Sequence, residues 1–425
     1  MSEQYYGCID LKSFYASVEC VERGLDPFKE NLVVADPSRG GGAICLAISP
    51  ALKALGVRNR CRIYEIPPGT RYTIAVPRMK LYMKYSADIY AIYLRFVSSE
   101  DIHVYSVDEC FIDFTPYLRT YKKTAEEMAV MMIDEVRRET GICATAGIGT
   151  NMFLAKVALD ITAKHAPNHI GFLDEEEFRR TIWHHTPITD IWNVGRGTAR
   201  RLERMGLMDM YDVAHFSEQR LYKEFGVNAK YLIDHSKGIE PCTISDIKHY
   251  TTDNHSLSNS QILFENYTYE NALIVLKEMV DGLVLELVEK ELAAGSVGLF
   301  VGYADESLPA TGGSRTLTSR TDSLHRLMPL FERIYEQTTS RVQPIRKLGI
   351  TLGDVVDVSL AEQVMFDELG NDTDPEKEER ERRVQAAVIA IKNRYGKNAI
   401  IKGMSLQDYA TAISRNGLVG GHNAE

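Results

Sequence analysis

From Tyr5 to Gly149 the spacing of apolar residues switches between a period of two and a period of about 3.6, which marks out alternating strands and helices. Residues 5–28 predict a strand ending at Asp10 and a helix over Lys12 to Glu19 and beyond. Residues 31–36 predict a second strand, Pro37 to Gly42 a turn-rich loop, and Pro50 to Leu55 a short helix closed by Gly56. Pro67, Pro68 and Gly69 then break the pattern. Tyr82, Tyr85, Ile89, Ile92 and Phe96 recur at three- and four-residue spacing, an amphipathic helix over Met79 to Phe96. Tyr105 to Phe114 reads as a hairpin with Asp108 and Glu109 at its turn. A helix from about Lys123 to Thr140, a strand over Cys143 to Gly149 and a helix over Asn151 to Ala163 complete a βαββαβ order, the ferredoxin-like pattern.

Residues 171–240 change to short helices, and Ile191 to Leu202 predicts a helix, a glycine-bounded turn and a second helix start. Such a hairpin offers backbone amides at a helix N-terminus to a phosphate; the alternative is a plain αα-hairpin. From Pro241 to Val356, strand-like runs (Ser296 to Tyr303, Arg315 to Thr321, Lys347 to Val355) surround helices near Tyr269–Lys290 and Asp322–Thr339, a second small α+β unit. Asp372 to Arg383 mixes acids and bases and reads as a solvated helix or linker.

A chain of 425 residues exceeds one compact domain. No apolar run approaches the roughly 20 residues of a membrane span. Met1-Ser2-Glu3-Gln4 has no basic and apolar leader, and seven scattered cysteines lack metal-ligand spacing. These features predict a cytoplasmic protein with reduced thiols and no membrane partner. The net charge of −10 argues against a nucleic-acid partner only if the charge is spread evenly. The acids concentrate in Glu278 to Glu291 and Asp372 to Glu381, so a divided surface is expected.

Asp108 and Glu109 stand among residues that want a core, and Asp10 ends the first strand. Crowded carboxylates are costly unless something neutralises them, and a divalent metal is the usual answer. Three carboxylates at strand ends suit a two-metal phosphoryl-transfer site. The alternative for the Asp-Glu pair is ordinary turn chemistry.

In company, these motifs resemble the Y-family translesion DNA polymerases, and most closely their bacterial UmuC-like branch. The resemblance runs from about Tyr6 to Asp357 and is carried by Asp10 to Glu19, Ser106-Val107-Asp108-Glu109, Gly147-Ile148-Gly149 with Asn151, Ala155, Lys156 and Ala158, Ala163-Lys164, and the Ile191–Leu202 hairpin. It implies an α+β multidomain right-hand polymerase. The ferredoxin-like palm would take residues 1–30 and 78–170, small fingers 31–77, a helical thumb with a helix-hairpin-helix 171–240, an α+β little finger 241–357, and a C-terminal tail 358–425.

Carried over residue by residue, Asp10, Asp108 and Glu109 resemble the catalytic metal triad, with the Leu11 carbonyl a further ligand for two Mg²⁺. Phe14 and Tyr15 fall at the incoming nucleotide, with Tyr15 as steric gate against a ribose 2′-OH. Lys164 resembles the palm lysine on the triphosphate. Where many relatives place Tyr and Arg in the fingers, this chain has Pro50 and Lys53; Lys53 supplies charge without a bidentate fork, and Ser49 is the expected hydroxyl. DNA contacts are expected at Arg39, at Val194, Gly195, Gly197 and Thr198 of the hairpin, and at Ser258, Asn259, Ser260, Ser314 and Arg315 of the little finger; a polar edge strand and loop is the alternative there. Glu362 to Asp367 resembles a sliding-clamp peptide through Gln363, Met365 and Phe366, one residue short of the usual spacing; the alternative is packing of Met365 and Phe366 on the little finger.

The resemblance therefore implies an error-prone polymerase acting on primer-template DNA and dNTPs opposite damaged bases. Its expected partners are a sliding clamp and activating accessory proteins of the kind some UmuC-like relatives use. Two alternatives stay open: a nucleotide cyclase on a related palm, and a non-catalytic DNA-binding accessory protein of the damage response.

Overall fold

The computed structural model describes residues 4–425 except 165, 167, 253–254 and 362–373. It divides into two compact units, residues 1–250 (with Glu425) and residues 251–424.

The first unit is built on a strand that lies between two others. β1 (Tyr6–Leu11) is followed by α1 (Phe14–Glu22). β2 (Leu32–Val34), β3 (Ala47–Ile48), α2 (Pro50–Ala54) and β4 (Thr73–Ala75) then form a small outlying layer with its own three-stranded sheet, β3-β2-β4. Val33, Cys45, Ile48, Leu52 and Val57 fill its core. The chain returns through α3 (Met79–Tyr93), β5 (Ile102–Val104), β6 (Glu109–Asp113), α4 (Thr115–Tyr121), α5 (Ala125–Thr140), β7 (Ala144–Gly149), α6 (Met152–Val157) and β8 (Ile170–Leu173). The central sheet has the order β5-β6-β1-β7-β8, with β1 antiparallel to both neighbours. Its first four strands and two helices are the expected βαββαβ order. The helix expected from Lys123 begins at Ala125 behind a capping box of Thr124 and Glu127, and α4 is an additional helix before it.

Beyond α6 the helix widens into a π-turn over Ala158–Thr162. Two glycines of β7 let it lie directly on the sheet. A Cβ at Gly147 would fall 2.1 Å from both the Ala155 carbonyl oxygen and the Leu159 nitrogen, and one at Gly149 2.3 Å from the Ala155 nitrogen. No side chain larger than hydrogen fits there.

Five helices follow, α7 (Glu175–Thr181), α8 (Arg196–Arg204), α9 (Met210–His215), α10 (Glu218–Phe225) and α11 (Ala229–Ser236), then α12 (Ile244–His249). Leu202, Leu207, Met210, Val213, Leu221 and Leu232 gather them against Phe153 and Val157 of α6. The first helix of the expected hairpin is only one 3₁₀ turn, Ile188–Asp190; Asn193, at φ 67°, turns the chain into α8.

In the second unit β9 (Leu257–Tyr267), α13 (Tyr269–Glu289), β10 (Leu292–Tyr303), β11 (Thr311–Thr321), α14 (Leu324–Thr338) and β12 (Ile345–Gly353) form a four-stranded antiparallel sheet in the order β11-β10-β12-β9. Val275, Leu276, Met279, Leu283, Phe331 and Tyr335 pack the two helices onto one face. β13 (Val356–Asp357) pairs with β10. α15 (Pro375–Tyr395), α16 (Ala412–Asn416) and the ribbon β14 (Leu418–Val419) and β15 (His422–Asn423) follow.

The acid-and-base run ending at Arg383 opens α15, and α15 is docked, not a solvated linker. Glu381 accepts from the Ser323 hydroxyl (2.6 Å) and the His325 amide (3.1 Å), capping α14, while Arg382 holds Asp322 through two bonds of 2.9 and 3.0 Å. The exchange is reciprocal. Buried Glu278 of α13 accepts from the Thr411 and Ala412 amides (2.7 and 3.1 Å) and so caps α16.

Candidate active site

Strand register brings the acids together. Asp10 lies opposite Glu109 on β6, and the Leu11 amide donates to the Asp108 carbonyl at 2.9 Å, so the hairpin turn is tied to the end of β1. Burial, reinforced by the charges of Asp108 and Glu109, pushes the Asp10 carboxyl from 3.8 to about 7. Each of the other two acids is held by a neighbour. The Ser106 hydroxyl donates to Asp108 at 2.6 Å, and Lys156 of α6 meets Glu109 at 2.5 Å and Asp160 at 3.0 Å. Burial alone lowers the Lys156 pKa, but the neighbouring Cys8, Glu109 and Asp160 turn the shift upward, so it stays charged.

Among the described residues no three His, Cys, Asp or Glu side chains are gathered closely enough to hold a metal as they stand. Lys156 holds one oxygen of Glu109 and Ser106 one oxygen of Asp108. The donor chemistry nevertheless fits a divalent cation: three carboxylates share one strand end, and burial together with the other two charges forces Asp10 toward its neutral form.

Next to the acids stand cations. Lys53, in the last turn of α2, interacts with Asp10 and with Lys164; burial lowers its pKa, Asp10 opposes that, and Lys164 adds to it. Burial also lowers the pKa of Lys12, followed by the influences of Cys143, Lys53 and Asp10. Lys12 was absent from the sequence reading, and so was Lys156 as a partner of Glu109. The Gly147 and Gly149 signals mark only the close approach of α6 to β7; the pairing of Lys156 with Glu109, two strands away, needs the sheet order.

Ser13 enters α1 with φ 49° and ψ 41°, a left-handed conformation uncommon for serine, and the Ser17 hydroxyl holds the turn by donating to the Lys12 carbonyl at 2.6 Å. Phe14 is buried, Leu11 too, and Tyr15 is half-buried. Burial raises the Tyr15 pKa, and the charge of Asp108 adds to it.

Several expected contacts are corrected. Ser49 is fully buried, and its oxygen accepts from the Leu32 and Leu52 amides (3.0 and 3.3 Å), so it caps α2 and does not face a triphosphate. Val194 is buried in the helical core, whereas Gly195, Gly197 and half-buried Thr198 stand at the start of α8. Arg196, Arg200 and Arg204 add an exposed basic face that the hairpin reading missed. Arg39 pairs with Asp36 at 3.2 Å.

In the second unit, Ser258 and Ser260 are exposed on β9, but Asn259 turns to the other face, where Arg415 donates to it at 3.0 Å. Register aligns Ser258, Thr351, Gly298 and Ser314 across the open face. Arg315, one residue on, lies on the opposite side from Ser314, by strand alternation. Gln363, Met365 and Phe366 lie outside the described residues.

The site thus combines a ferredoxin-like sheet with acids at one strand end, cations beside them, a small three-stranded layer after α1 and a basic face at the start of α8. The impB/mucB/samB family model matches residues 9–160, and the model of that family's C-terminal domain matches residues 254–364. UvrX of Bacillus subtilis (strain 168), a relative named for UV-damage repair, is 33% identical over 427 residues, spanning 98% of this chain and 97% of UvrX. DNA polymerase IV 2 of the same organism is 28% identical over 431 residues, 99% of each chain. DNA polymerase IV 2 of Halalkalibacterium halodurans is 29% identical over 422 residues, 97% of this chain and 98% of its own. Among solved structures, the Y-family DNA polymerase chimera Dbh-Dpo4(243-245)-Dbh shares the fold, with a TM-score of 0.63 at 20% identity over 83% of this chain and 99% of that one. The chain belongs to the impB/mucB/samB family of Y-family translesion polymerases and is a DNA-directed DNA polymerase.

Proposed function

We propose that this polymerase extends a primer by attack of its 3′-OH, which gives up its proton, on the α-phosphate of a dNTP, breaking the α–β phosphoanhydride bond and releasing pyrophosphate, and inserts opposite damaged template bases with low fidelity. The observation that supports this most is Asp10, a carboxyl pushed up to about 7 beside Asp108 and Glu109, with Lys53 and Lys164 close by. When bound by Asp10, Asp108, Glu109 and the Leu11 carbonyl, two Mg²⁺ ions supply alignment and charge neutralisation for the attacking and leaving oxygens.

The chain's own residues do the positioning. Lys53, Lys164 and Lys12 hold the triphosphate as point charges. Tyr15 stands where a 2′-OH would be, excluding ribose. Lys156 holds the Glu109 carboxylate in place before substrate arrives. The fingers, residues 31–77 in our division, are small, and Lys53 offers no bidentate grip, so the nascent pair is weakly pressed. That favours acceptance of distorted template bases. Residues 171–240 (thumb) and 241–357 (little finger) hold the duplex through α8 and through the Ser258–Thr351–Gly298–Ser314 row. Such phosphate contacts carry no sequence information and weaken with salt.

Primer extension with Mg²⁺ and dNTPs on an intact template and on one with an abasic site tests the reading, beside Asp108→Ala/Glu109→Ala. We expect extension past the lesion by the native chain, and loss of extension with retained duplex binding in the variant. Undiminished extension by the variant would sink the assignment.

A further inference from the structure

The ring of Tyr15 does not stand alone. It stacks on Tyr82 of α3, with centroids 4.6 Å apart and planes 17° from parallel. Tyr82 is fully buried, and its hydroxyl donates to Glu19 at 2.7 Å. Glu19 lies one helical turn beyond Tyr15 on α1, so the two side chains share a face. Its side chain is fully buried as well, and Arg78 binds both of its oxygens, at 2.9 and 2.8 Å; Arg23 is a further partner. Burial raises the Glu19 pKa, but the bonds from Arg78, Tyr82 and Arg23 more than offset that and keep it ionised. Arg78, the residue that precedes α3, accepts the Tyr82 amide at its carbonyl and so lies one helical turn from it. The result is a closed frame: two helices, joined at one end by an aromatic stack and at the other by a buried carboxylate with fixed donors. A hydrophobic pair would join the helices equally well. The buried charge adds a specific rotation of the Tyr82 ring, because the hydroxyl must reach Glu19.

We propose that Tyr82 is the positioning residue of the sugar gate: stacked against Tyr15, it fixes the position and tilt of that ring and thereby sets discrimination between deoxyribose and ribose. This rests on the reading of Tyr15 as the gate. A gate works by exclusion, so its power depends on how far the ring can yield. Tyr15 is only half-buried, and among the described residues its close aromatic supports are Tyr82 and the tilted ring of Phe14, whose centroid is 5.7 Å away.

The test is single-nucleotide insertion opposite template G, with kcat/KM measured for dCTP and CTP. Tyr15→Ala checks the premise and should collapse discrimination. Tyr82→Leu should lower discrimination about ten-fold, the scale of one aromatic pair, mainly through a rise in CTP insertion. Tyr82→Phe keeps the stacked ring but loses the bond to Glu19 that sets its rotation, and should lower discrimination by less than Tyr82→Leu does. Adding Tyr82→Leu to Tyr15→Ala should change the ratio no further, because the effect passes through Tyr15. Tyr82→Met, unbranched and similar in volume, stands in if Tyr82→Leu does not fold. Unchanged discrimination in the Leu or Met variant, with Tyr15→Ala collapsed, overturns the proposal alone; additive losses in the double variant do the same. Retained discrimination in Tyr15→Ala overturns the gate reading and the proposal with it.

Discussion

Asp10→Asn should stabilise the metal-free first unit while ending catalysis. The folded protein holds the Asp10 proton more tightly than the unfolded chain does, since the carboxyl moves from 3.8 to about 7. A raised acid pKa costs stability as pH climbs from about 4, and the cost is complete above about 7. Three units at about 1.4 kcal/mol each set a ceiling of roughly 4 kcal/mol, and solvent screening at this partly accessible side chain brings it to about 2. Asparagine has the same shape and no charge at any of these pH values. Thermal unfolding in EDTA should therefore show a midpoint roughly 4–8 °C higher for the variant at pH 8, and under half that gain at pH 5. Added Mg²⁺ should stabilise the native protein and leave the variant unmoved. A variant no more stable than the native protein at pH 8, or one with the same gain at both pH values, refutes the reasoning.

Other substitutions probe the framework. Lys156→Met strips the cation from Glu109, in a pair whose side chains are only 10% and 11% exposed, and should lower stability by about 3 kcal/mol in thermal unfolding and slow primer extension at least about ten-fold. Gly147→Ala places a Cβ against helix backbone that cannot yield, and should cost about 3 kcal/mol or more; Gly282→Ala, in the interior of α13 with open space around it, should gain about 0.5–1 kcal/mol, both read from denaturant midpoints. Glu278→Ala removes the acceptor from the start of α16, and hydrogen exchange at residues 411–416 should accelerate about ten-fold or more.

Much of the fold was legible because its units are local. The βαββαβ order follows from alternation and helical spacing, each readable in windows of ten to twenty residues, and the second α+β unit follows in the same way. The acids were legible because Asp108-Glu109 conflicts with its apolar surroundings. What escaped depends on distant partners. The acid-and-base run that opens α15 looks solvated until Asp322 and Ser323, 60 and 58 residues away, are brought beside it. Lys156 gains its role only from strand register and from glycines that allow close approach. Two errors were avoidable. Ser49-Pro50 carries the capping serine and first-turn proline of a helix start, which already assigns the hydroxyl to the backbone of α2. Strict alternation along β9 separates Asn259 from Ser258 and Ser260, so the three could not share a face.

The capping of α16 by Glu278 joins residues 133 positions apart. On a ribosome adding about 5–20 residues per second, that gap is on the order of ten seconds. Through that interval α13 is already made, and its acid waits for donors that have not yet been synthesised. Apart from Glu425, the first unit precedes it entirely, so that unit can be complete while the second is still open at this point. A nascent chain therefore has all three acids of the candidate site in place before its second unit can close.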